Sequence, residues 1–171
     1  MYNTAIGTDA GQQITTGVKN TFVGGLAADA TTTGTANNAF GYEALGANQS
    51  GGENNAFGRN ALGATTGNGN SAFGHRTLQA NTSGTGNVAM GHSALTTSTT
   101  ANNNTAVGAL SLDATTTGAS NTAVGYISLS ANTTGNSNVA IGVEALDANT
   151  TASNNTSIGM QSLSGNTAGS S

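Results

Sequence analysis

Cysteine is absent from these 171 residues, so no disulfide framework staples the fold, a composition compatible with exposure outside a cell. Charge is scarce too: 6% of residues are charged and the formal net charge is −4. The basic residues are Lys19, Arg59 and Arg76, too few for the phosphate-neutralising stripe that nucleic-acid binding needs, which excludes nucleic acid as a partner. The acids Asp9, Asp29, Glu43, Glu53, Asp113, Glu144 and Asp147 are scattered, and none stands beside a base or nucleophile. With neither a paired carboxylate nor a triad, the chain is not expected to be an enzyme, and no cofactor is expected. No apolar run approaches the roughly 20 residues of a membrane helix, so no membrane insertion is expected. Hydrophobic residues make up 35% and aromatics 4%, thin material for a conventional globular core.

What the chain has instead is a phrase written again and again. "NTAIGTDA" opens it at residue 3, "NTAVGALSL" begins at residue 104, "NTAVGYISLSANTTG" at 121 and "NVAIGVEAL" at 138. The glycine closing each Ala-apolar-Gly triplet sets the period: Gly7, Gly24, Gly41, Gly58, Gly74, Gly91, Gly108, Gly125, Gly142 and Gly159. Eight of these nine intervals are 17 residues and one, Gly58 to Gly74, is 16. Residues 1–171 therefore form a single repeat domain.

Stacking the ten copies turns one sequence into an internal comparison. Four positions before the periodic glycine stands Asn in every copy: Asn3, Asn20, Asn37, Asn54, Asn70, Asn87, Asn104, Asn121, Asn138 and Asn155. The residue just before the glycine is always large and apolar, and the one before that is Ala in eight copies, with Phe22 and Ser157 the exceptions. Four positions after the glycine the last eight copies carry Leu, where the first two have Gly11 and Ala28. Eight positions after it, nine copies carry Thr, in a stretch that reads as a turn.

Apolar runs of four or five residues between Asn, Gly and Thr turns do not make a helix. They predict an all-β chain: a parallel β-solenoid, or β-roll, of about ten 17-residue coils, with two short strands per coil, one at the TAVG position and one at the xALxA position. Coils stacked about 4.8 Å apart would give a rod of roughly 45–50 Å. Asn above Asn lets side-chain amides hydrogen-bond along the axis, so the ten asparagines are read as a structural ladder. The bulky apolar column and the Leu column are expected to fill the interior, with the Ala column on the opposite pleat open to close approach by another chain. Because so small a core gains little against the entropy of ordering the backbone, a homotrimer is expected.

The phrases "NVAIGVEAL" and "NTAVGYISL" resemble the NSVAIG-type repeats in the heads of YadA-type trimeric autotransporter adhesins. They are still more similar to the NTAVGYxAL repeats of phage tail-fibre proteins, and the resemblance covers nearly the whole chain. It implies a trimeric β-roll and a place on a virion or at the cell surface, projecting outward. The repeat is longer than that of the adhesin heads, and no neck, stalk or anchor segment follows it, which favours a fibre segment.

The column just after the periodic glycine is the least uniform, as a solvent-facing position would be. Tyr42, Arg59, His75 and His92 follow one another in it, Arg76 sits beside it and Tyr126 lies further along. These six are the candidate contacts to a cell-surface glycan or protein receptor. Two histidines without a nearby carboxylate do not make a metal site, and none is assigned. The leading expectation is a structural and adhesive fibre segment forming a rigid shaft. An extracellular filament of end-to-end subunits is the first alternative, motivated by open strand edges, and an ice-binding solenoid with a stacked Thr face is the second.

Overall fold

The structure, a computed structural model, describes residues 2–167. It is an all-β parallel solenoid of about nine turns, with no helix among the described residues. Each copy of the repeat contributes one strand: β1 (Thr4–Ile6), β2 (Thr21–Val23), β3 (Asn38–Phe40), β4 (Asn55–Phe57), β5 (Ser71–Phe73), β6 (Val88–Met90), β7 (Thr105–Val107), β8 (Thr122–Val124), β9 (Val139–Ile141) and β10 (Thr156–Ile158). The ten form one sheet in sequence order, parallel and in register, so that Ala39 sits on Ala56 and Phe40 on Phe57. The missing residue between Gly58 and Gly74 does not disturb this register, because Phe57 still pairs Phe73.

The strands are short because the repeat brackets them. On one side stands the ladder Asn. On the other the periodic glycine adopts φ between 124° and 139°, a region that side-chain-bearing residues rarely enter. A Cβ on Gly125 would also lie 2.3 Å from the carbonyl oxygen of Gly142 in the next coil, so this position is closed to every other residue.

The second expected strand is not there. Beyond the glycine the chain runs through two overlapping turns, seen in the third coil as Ala44 N–H donating to Gly41 C=O and Gly46 N–H donating to Glu43 C=O, both at 3.3 Å. The third residues of these turns, Glu43 and Leu45, have φ of 54° and 56°, the positive value a type II turn requires. The tract still bonds from coil to coil, with Glu43 N–H reaching back to Gly25 C=O and Leu45 N–H forward to Ala61 C=O. Inter-coil pairing thus continues through residues that are not extended, and a short apolar run between turn residues, read as a strand, misplaces them.

The two faces of the strands are also the reverse of the expectation. The Ala column (Ala39, Ala56, Ala72, Ala89, Ala106, Ala123, Ala140) is fully buried, while the bulky column beside it points outward. Met90 is 48% exposed and Ile141 38%. The interior is filled by the Ala and Leu columns facing each other across a coil too narrow for a second large side chain. The N-terminal end of the rod bears this out: where Leu is replaced by Gly11 and Ala28, the Ala column supplies Phe22, whose ring lies where a Gly11 side chain would go. Burial of each Leu contributes about 1.5–3 kcal/mol, enough to offset the roughly 1–2 kcal/mol that its left-handed backbone costs.

Candidate interaction surface

Two polar columns hold the coils at fixed height. The ladder asparagines from Asn20 to Asn155 are buried, Asn3 is half-buried, and each bonds to the asparagine of a neighbouring coil: Asn104 Nδ2 donates to Gly118 C=O at 2.8 Å, and Asn104 Oδ1 accepts the Asn121 backbone N–H at 2.8 Å and its side-chain Nδ2 at 3.2 Å. The same pattern runs from Asn3 to Asn138, with Ala101 and Ala152 supplying the carbonyl for Asn87 and Asn138, whereas Asn155 Nδ2 turns to Ser153 C=O two residues before it. A second buried polar column lies seven residues after the periodic glycine and was not anticipated. Its asparagines, Asn48, Asn81, Asn132 and Asn149, donate to the turn carbonyl three residues on, at 3.0 to 3.1 Å. The two columns converge, so that Gly51 C=O accepts from both Asn37 and Asn48. The signal was visible as a column that holds only Asn, Thr or Ser after Ile14 in the first copy, but its place inside a Thr-rich turn disguised it. The adjoining Thr hydroxyls are likewise engaged, Thr133 Oγ1 donating to Thr150 C=O at 3.0 Å.

With these groups committed to the fold, what remains for a partner lies on the outside. The first surface is the outer strand face. Its bulky column runs unbroken from Ile6 through Met90 to Ile158. At its centre Phe40, Phe57 and Phe73 stack with centroids 4.7 and 5.0 Å apart, nearly parallel.

The second surface begins just round the bend. The structure brings Tyr42, Arg59, His75 and His92 together as consecutive rungs, as in-register stacking requires. The Arg59 guanidinium lies 6.0 Å from the centre of the Tyr42 ring, and the His75 and His92 rings are 5.3 Å apart and tilted by 45°. Arg76 projects into solvent from the neighbouring column, at φ 61°. Tyr126 is exposed but stands apart from this group, with Ala109 intervening in the same column.

Desolvation, helped by the positive charge of Arg76 and by His92 and Arg59, lowers the proton affinity of His75. The charge of Glu43 and a hydrogen bond to it raise the Tyr42 phenol, with Arg59 opposing. Glu43 also accepts a hydrogen bond from Asn60 Nδ2 at 2.6 Å, at the edge of a groove of about 420 Å³ that Asp29 and Gln79 also line. This groove opens where Gly46 and Gly63 take the place that a polar side chain, Asp, Gln, Thr or Ser, fills in the other coils. Among the described residues, no three His, Asp or Glu side chains converge where a metal ion could sit. No protein-family model, curated protein or solved structure matches the chain.

Proposed function

We propose that this chain is a segment of a structural fibre on a virion or at a cell surface, a rigid β-solenoid shaft that assembles as a homotrimer through its outer strand face. The observation that carries the reading is the unbroken outward column of Ile, Val, Phe and Met, ten rungs long, in a chain with so little else that is large and apolar. A contiguous apolar surface of that extent is characteristic of an interface. Three copies around one axis would bury all three columns against each other. The likeness of the repeat to adhesin-head and tail-fibre repeats supports the same arrangement.

This changes the basis of the trimer. The small Ala column cannot admit a neighbouring backbone, because it is inside the coil; the bulky column takes over as the contact. Light scattering on the eluting protein tests the reading, with an expected mass three times the 16.5 kDa chain. Placing Glu at Val107 and Val124 together should return it to the monomer without unfolding it. A wild-type monomer overturns the proposal, and mass that grows without limit replaces it with an end-to-end filament.

A further inference from the structure

Arg59 and Arg76, with His75 and His92 as further N–H donors, form the one region of this acidic chain in which basic side chains gather without an acid among them: from Asn54 to Leu112 the sequence contains no Asp or Glu. They occupy three consecutive coils on one edge. We propose that this edge binds a linear acidic polysaccharide, a polyuronate carrying one carboxylate per sugar, laid along the rod axis. The inference rests on the reading of the chain as a surface-projecting fibre segment.

Three features support a glycan of this kind. One rung recurs about every 4.8 Å, close to the length of a hexose unit, so a carboxylate on each sugar meets a donor on each coil. The donors suit the ligand: Arg presents a planar fork to a carboxylate, and an imidazole N–H donates to carboxylate or hydroxyl. The Tyr42 ring, 47% exposed and already against Arg59, ends the row with an aromatic face on which a sugar ring can rest. Glu43 beside it and Asp29 in the preceding coil close this end of the site by repulsion.

Binding of fluorescently labelled polygalacturonate, followed by anisotropy at low salt, tests the proposal. Binding should be measurable for the wild type, absent for neutral dextran, and weakened about tenfold or more by Arg59→Gln with Arg76→Gln, the loss expected from removing two charge-assisted contacts. Lys19→Gln, which removes positive charge elsewhere on the rod, should leave it unchanged. The assignment fails if the wild type does not bind, if Lys19→Gln costs as much as the arginine pair, or if an oligothymidylate of equal charge binds as tightly. The mass of the same samples separates the two proposals: a trimer that does not bind overturns only this one, and a monomer that binds overturns only the trimer.

Discussion

At the scale of single residues, the two polar columns differ in how completely their hydrogen bonds are made, and stability should follow that difference. Asn104→Ala removes the donor to Gly118 and the acceptor for Asn121, both buried. Each orphaned group costs about 1–3 kcal/mol, so a clear drop in the midpoint of thermal unfolding is expected. Thr115 is the opposite case, since its hydroxyl is buried with no partner. Thr115→Val keeps the shape and discards the orphan, and chemical denaturation should show a gain of about 1 kcal/mol. His75 provides a pH test. Its proton is bound less tightly in the folded chain than in the unfolded one, because of desolvation first and then Arg76, His92 and Arg59. The unfolded state therefore takes up the proton more readily, so this contribution to stability is present above about pH 6.5 and declines as the pH falls through it. In an NMR titration His75 should protonate at lower pH than an ordinary histidine, and Arg76→Gln should move it back up.

At the scale of the element, the turn tract combines two positive-φ positions with different side-chain environments. Ile127, half-buried at φ 58°, is β-branched in a conformation such residues resist. The fourth coil carries Asn60 at the same place, so Ile127→Asn should be neutral to stabilising by roughly 1 kcal/mol in denaturant titrations. Leu129, at φ 51° but fully buried, should respond the other way. Leu129→Asn is expected to cost about 2–5 kcal/mol, the scale of a truncated core leucine with an unpaired amide added. These two positions also show where sequence reading reached its limit. The repeat, its period, the turn at Thr133 and the hydrogen-bonding of Asn121 are legible because a stacked coil samples each environment ten times. Which face of Thr122–Val124 points inward is not, because period-two alternation is symmetric and a large side chain is the ordinary choice for a core. The better clue was constancy: a narrow interior admits one size, hence Ala at most rungs, whereas Val124 stands in a column that also accepts Phe and Met. The left-handed leucines gave no signal at all, since local preference argues against them.

At the scale of the whole molecule, each coil contacts only its neighbours, and stability is approximately a sum over coils and the interfaces between them. Deleting residues 105–121, one complete copy, should leave a shorter rod with the same circular dichroism per residue and a smaller denaturant dependence, since less surface is exposed on unfolding. Deleting only 105–112 should abolish cooperative unfolding, because the Asn column would then face turn residues. On the candidate surface the row of Tyr42, Arg59, His75 and His92 was readable from the period alone. The acid-bordered groove beside Glu43 was not, because it depends on how columns three and four residues apart, those of Glu43, Gly46 and Ala47, close round the coil.

In-register stacking also accounts for the scarcity of charge along the chain. A residue repeated in one column is held about 4.8 Å from its copy, where two like charges repel by nearly 1 kcal/mol even in water. Along the rod, Glu43 is followed by Asn60 and Glu144 by Gln161, each amide donating to the carboxylate below it, and Arg59 is followed by His75. No column places two carboxylates, or two permanent cations, on adjacent rungs. Hydration of the surface consequently rests on hydroxyls and amides, and the rod's solubility should change little between dilute and concentrated salt, unlike that of a protein kept apart from its copies by net charge.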